Sequence, residues 1–153
     1  MSVEVGTEAP DFTLRDERGE ELTLSSLRGR NVVLVFYPLA FSPLCSTELR
    51  DISEQAEKYD AAGAEVIGIS VDSTWTLRAF KKSENLAARL LADFHPKGAV
   101  ARQYDAYIDE AGIATRATFV IDKHGKVAHK VVTHPGEGRN QDEYLEALAS
   151  CPV

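Results

Sequence analysis

A cysteine at the junction of an apolar strand and an amphipathic helix is the residue of this chain best placed to do chemistry. The segment Tyr37-Pro38-Leu39-Ala40-Phe41-Ser42-Pro43-Leu44-Cys45 leaves the apolar run Val32-Val33-Leu34-Val35-Phe36-Tyr37 and enters a stretch where Cys45, Leu49, Ile52, Ala56 and Tyr59 recur at helical spacing. Ser42 suits an N-cap and Pro43 the first helical position, so Cys45 falls where backbone N–H groups lack partners and the helix dipole is positive. A thiolate is favoured there, and only the thiolate attacks well. The dipole supplies up to about 2 kcal/mol in a partly buried setting, whereas moving a thiol from roughly 8.5 to about 6 takes roughly 3.4 kcal/mol. A second cation is therefore expected, and Arg116, just before the apolar strand Ala117-Thr118-Phe119-Val120-Ile121, is the best candidate. A guanidinium at that place holds a thiolate and a developing oxyanion at once. Ser42 offers a hydroxyl that can donate to sulfur or to a bound oxygen while serving the helix end. Pro38 has no N–H and walls the pocket.

The elements that must position these groups follow from periodicity. Residues 32–37 read as a strand covered on both faces, the helix runs from about 43 to 61, and Gly63 suits its C′ position. A second buried strand takes 65–71, a helix about 74–83, a short strand 89–92 and a short helix about 97–104. Residues 117–121 and 127–132 form a hairpin around Asp122-Lys123-His124-Gly125, and a closing helix takes about 140–149. An earlier hairpin joins 12–15 to 21–24. The order predicts an α/β fold, a mixed central sheet flanked by helices with an N-terminal β-hairpin extension, with no linker or repeat to divide 1–153 into more than one domain. Ligands of such sheets sit beyond the carboxyl ends of strands, where Cys45 lies.

Composition narrows the chemistry. At 153 residues and 44% hydrophobic, the chain is large enough to fold around its own core without disulfide staples. A net charge of −7 with basic and acidic residues interleaved argues against nucleic-acid binding, which rests on a concentrated basic face. The two cysteines are far apart, with no CxxC, and His95, His124, His129 and His134 make no metal-ligand pattern with them. No segment has the apolar length of a membrane helix, and the start lacks a cationic segment followed by an apolar one, so a cytoplasmic protein is expected.

Pro38, Ser42 and Cys45 reproduce a P-x-x-x-T/S-x-x-C motif, and the chain resembles the peroxiredoxins, above all their one-cysteine alkyl hydroperoxide reductase E-like group. The resemblance extends from Gly6-Thr7-Glu8-Ala9-Pro10-Asp11-Phe12-Thr13-Leu14 through Ala92-Asp93-Phe94 and Gly98-Ala99-Val100-Ala101 to Ala111–Asp122. It implies a thioredoxin-like fold and a thiol peroxidase that reduces hydrogen peroxide, organic hydroperoxides or peroxynitrite, with no cofactor. By the same resemblance Cys45 is the peroxidatic cysteine, Arg116 and Ser42 polarise the peroxide, Pro38 shields the intermediate, and the N–H groups of Cys45 and Leu44 help bind it. A low-molecular-weight thiol or a glutaredoxin- or thioredoxin-like protein would recycle the enzyme, and a homodimer is implied, with contacts near the active-site loop.

Three points stay open at this level. Glu48 either orients an arginine or is a favourable first-turn charge. Cys151 is an idle exposed thiol, a resolving cysteine or a mixed-disulfide site. A thioredoxin-type disulfide oxidoreductase is the enzymatic rival, although Ser42 stands where its second thiol is needed and Ala117 where its cis-proline is usual. A redox-sensing interaction domain is the non-enzymatic one.

Overall fold

The computed structural model describes residues 3–151. Its strands are β1 (Thr13–Asp16), β2 (Glu21–Thr23), β3 (Asn31–Phe36), β4 (Ala64–Ser70), β5 (Arg89–Ala92), β6 (Tyr107–Ile108), β7 (Ile113–Ala114), β8 (Arg116–Ile121) and β9 (Val127–Thr133). The α-helices are α1 (Pro43–Glu54), α2 (Ala56–Ala61), α3 (Thr74–Glu84), α4 (Ala99–Gln103) and α5 (Asp142–Ala149). Seven strands form one mixed sheet in the order β2-β1-β5-β4-β3-β8-β9, while β6 and β7 make a small separate hairpin.

Every residue of β3 is buried, because alternate side chains enter two different cores. Val32, Leu34 and Phe36 join Phe12, Tyr104 and Phe119 on one face, where α4 packs. Val33, Val35 and Tyr37 join Cys45, Leu49, Leu77, Phe80 and Tyr144 on the other, under α1, α3 and α5. Helices therefore cover both faces of the sheet. The pairing directions then decide where the site forms. Strands β3, β4 and β5 run parallel, so their carboxyl ends lie side by side. Antiparallel β8 starts where β3 ends, with Phe36 opposite Ala117, and this delivers Arg116 to the mouth of the β3–α1 loop.

Two expectations are corrected. The single helix over 43–61 is divided at Gln55. Ser53 Oγ donates back to Leu49 O (3.0 Å) and accepts from Ala87 N (2.8 Å), a pairing that bends a helix and ties its end to the segment before β5. The β6–β7 hairpin, which closes near Gly112 at φ +69°, was not expected, since two-residue strands carry no periodicity. Among the described residues no helix is long and apolar enough to cross a membrane.

Candidate active site

Ser42 takes the N-cap position of α1 with extended backbone (φ −66°, ψ 143°), and Pro43 opens the helix. The first intrahelical bond runs from Ser46 N to Ser42 O (3.0 Å). The N–H groups of Leu44 and Cys45 thus stay outside the ladder and point to where an anion would be held. Cys45 is fully buried at 0% exposure, on the core face of α1 with Leu49 and Tyr37, and Pro38 is buried just past the end of β3.

Arg116, at 2% exposure, is fixed at two points. Its Nε donates to Pro135 O (2.7 Å) and its Nη1 to Glu48 Oε1 (2.7 Å). Glu48 lies one turn beyond Cys45, past the first turn, and is shared with a second arginine. Arg139 donates Nη2 to Oε1 (2.7 Å), and its backbone N and Nε to Oε2 (2.8 and 3.2 Å). Its Nη1 reaches Phe36 O (2.7 Å) and Thr118 Oγ1 (3.1 Å), so the same side chain clips the ends of β3 and β8. Burial pushes the Glu48 carboxyl up, but hydrogen bonds and charge from Arg139, aided by Arg116, outweigh it and hold the group below its ordinary range. Two guanidiniums around one carboxylate leave a net positive charge one helical turn from the sulfur. A cavity of about 350 Å³ borders the Glu48–Arg139 pair from the side of Tyr144, and Cys45 does not line it.

This arrangement, a helix-start thiol one turn before a carboxylate that two buried guanidiniums share at the carboxyl edge of a mixed sheet, matches known proteins in sequence and in fold. Residues 5–130 match the AhpC/TSA family. The chain belongs to the peroxiredoxins of that family. It is similar to alkyl hydroperoxide reductase E of Mycobacterium tuberculosis, with 39% identity over 147 residues that cover 95% of this chain and 96% of that protein. Among solved structures, the reduced 2-Cys peroxiredoxin of Plasmodium vivax superimposes with a TM-score of 0.87 at 30% identity, over 95% of this chain and 80% of that one. Peroxidoxin BcpB from Mycobacterium tuberculosis gives a TM-score of 0.87 at 29% identity, over 99% of both chains. The fold is thus thioredoxin-like and the chain is a thiol-dependent peroxidase.

In this peroxiredoxin the predicted residues are not all placed as expected. Ser42 occupies the N-cap position, but its hydroxyl makes no cap; Oγ donates to Leu39 O (2.8 Å), closing the turn before the helix. Leu44 is half-buried and faces Gly138 of the loop after β9. Cys151 is buried rather than exposed, with Sγ donating to Ala147 O (3.4 Å). Burial pushes its thiol up, and the charge of Asp122 adds to this. Cys45 and Cys151 are both free thiols. Arg139 escaped the sequence reading. It ends the aperiodic segment His134-Pro135-Gly136-Glu137-Gly138, and the only hint was a glycine-rich loop finishing on a cation just before a helix.

Proposed function

We propose that this peroxiredoxin reduces hydrogen peroxide, organic hydroperoxides or peroxynitrite through Cys45 and is recycled by an external thiol. The Cys45 thiolate attacks the terminal peroxide oxygen; an S–O bond forms as the O–O bond breaks. Sulfur is oxidised to sulfenic acid; the leaving hydroxide or alkoxide takes a proton from solvent, and peroxynitrite leaves as nitrite. Arg116 stabilises the thiolate and the departing oxygen, and the N–H groups of Cys45 and Leu44 hold the peroxide. With its proton committed to Leu39 O, Ser42 Oγ presents lone pairs and accepts the peroxide hydrogen. Pro38 keeps water from the sulfur. Glu48 and Arg139 position Arg116 rather than touch substrate. The observation that carries this reading is the buried Arg116–Glu48–Arg139 network one turn from a helix-start thiol.

A first thiol then condenses with the sulfenic acid, releasing water and forming a mixed disulfide, and a second thiol reduces that disulfide. A low-molecular-weight thiol or a glutaredoxin- or thioredoxin-like protein supplies both. Cys151 takes no part, a reading supported by its burial and by the bond of its Sγ back to Ala147 O. Two free thiols fit a reducing, cytoplasmic setting, and one seven-stranded sheet running from β1 to β9 fits action of 1–153 as one domain. A homodimer is supported by the exposure of Leu39, Phe41, Trp75 and Phe94 on the loops and the helix start that follow β3, β4 and β5.

Mass spectrometry after one equivalent of hydrogen peroxide tests the cycle. Wild type and Cys151→Ser should gain one oxygen on Cys45, and Cys45→Ser should gain none. A disulfide between the two cysteines would overturn the one-cysteine cycle, and an unmodified Cys45 would overturn the peroxidase reading itself.

A further inference from the structure

Strands β3 and β4 stay in parallel register to Phe36 opposite Ile69, and the last ladder bond runs from Tyr37 N to Ile69 O (3.1 Å). Pro38 has no N–H, and the chain leaves the sheet there. Two residues later a side chain takes over the ladder's work. Asp72 Oδ2 accepts from Ala40 N (2.8 Å) and from the hydroxyl of Ser70 (2.7 Å), a residue at 1% exposure on the last position of β4. Asp72 is not used by the helix that follows it. The N-cap of α3 is Ser73, whose Oγ accepts from Thr76 N (3.2 Å).

The turn that Asp72 holds is strained. Phe41 has φ +70°, in the left-handed region that a bulky side chain adopts only when its surroundings impose it. Its ring leans on Phe80 (centroids 5.1 Å apart) yet remains 49% exposed, so packing alone is a partial restraint. On one side of Phe41 the backbone is tied to Asp72 through Ala40; on the other, Ser42 folds its hydroxyl onto Leu39 O. The helix bearing Cys45 begins immediately afterwards.

We propose that Asp72 is a positioning residue for peroxide reduction: by accepting the Ala40 N–H it holds the Leu39–Ser42 turn, and through that turn it aims the first N–H groups of α1 and the Ser42 oxygen at the peroxide. This rests on the peroxidase reading above. The requirement is for an acceptor at one place, not for a negative charge beside a nucleophilic sulfur. Leu39 and Phe41, the exposed members of the turn, form the rim that a larger hydroperoxide must pass.

Three variants separate these ideas, with Cys45 oxidation followed by rapid-quench mass spectrometry using hydrogen peroxide and cumene hydroperoxide, and folding checked by circular dichroism. Asp72→Asn keeps the acceptor and should react with hydrogen peroxide within about threefold of wild type, whereas Asp72→Ala should be slower by about tenfold to a hundredfold. Asp72→Glu keeps the charge but displaces the turn by a methylene, so it too should be slow while folded, which preserves the test if Asp72→Ala does not fold. In the slow variants the rate ratio between the two peroxides should shift by about threefold or more, which a general loss of stability would not produce. Asp72→Ala or Asp72→Glu at the wild-type rate with an unchanged ratio, or Asp72→Asn as slow as either, overturns the proposal. A wild-type protein whose Cys45 does not react with either peroxide instead defeats the peroxidase reading, and the positioning role with it.

Discussion

Glu48 is the residue on which the site's electrostatics turn. Its carboxylate takes three N–H donors from two buried guanidiniums and a fourth from the Arg139 backbone, and this compensates the cost of holding three charges away from water. Glu48→Gln keeps the shape but leaves two buried cations with no counter-charge, and removing one partner of such a set costs about 3–5 kcal/mol. Urea denaturation of this variant should show a loss of that order, and Cys45 should react more slowly with peroxide because Arg116 loses its anchor. The pH dependence has a definite sign. The folded-state carboxyl titrates below its ordinary 4.5, so its contribution to stability is present above that value and is lost as pH falls through the lower, folded-state value. Wild-type stability should decline in that acid window, and Glu48→Gln should lack that part of the decline. Cys45, Ser42 and Arg116 were legible in the sequence because each is marked by its immediate neighbours: a strand end, a helix start, a strand start. Arg139 was not, since its place depends on how an aperiodic loop closes over α1. The hydroxyl of Ser42 does not cap α1 for a related reason: the rotamer that donates to Leu39 O turns Oγ toward the preceding turn, and no helix-start N–H reaches it.

At the scale of elements, strands were read best where both faces are buried. The short, β-branched apolar stretches at 32–36, 66–69 and 119–121 mark β3, β4 and β8, and the adjacency of β3 and β8 follows once β8 is known to return antiparallel to β3. Boundaries set by side-chain bonds between distant segments were not visible, as the division of α1 from α2 by Ser53 and Ala87 illustrates. The turn into α4 is a second case. Gly98, at φ +74°, occupies its N-cap, and a Cβ there would run into the Tyr107 ring of β6. Gly98→Ala should therefore destabilise the protein by about 2 kcal/mol or more, from backbone strain and the displaced ring together. Urea titration measures this, and the rate of Cys45 oxidation should change little, because α4 packs on the sheet face opposite the thiol.

The whole molecule gathers three loop mouths at one edge of the sheet, where the thiol, its arginines and the exposed Leu39, Phe41, Trp75 and Phe94 all lie. Trp75, at 73% exposure and stacked under Arg78 (4.6 Å to the ring), is the largest of these. Sedimentation should give a dimer for wild type and a monomer for Trp75→Glu, which would bury a charge in the contact; a monomeric wild type would contradict the homodimer. At this edge the guanidinium network should make Cys45 a fast nucleophile toward peroxide. The second-order rate constant of Cys45 oxidation in Cys151→Ser, measured alongside the same protein carrying Arg116→Lys, decides this. The rate should be at least about a thousandfold above that of a free cysteine, with a loss of roughly a hundredfold on replacing the fork-shaped cation by a point charge. A thiol that reacts no faster than free cysteine, or one indifferent to Arg116→Lys, would contradict it.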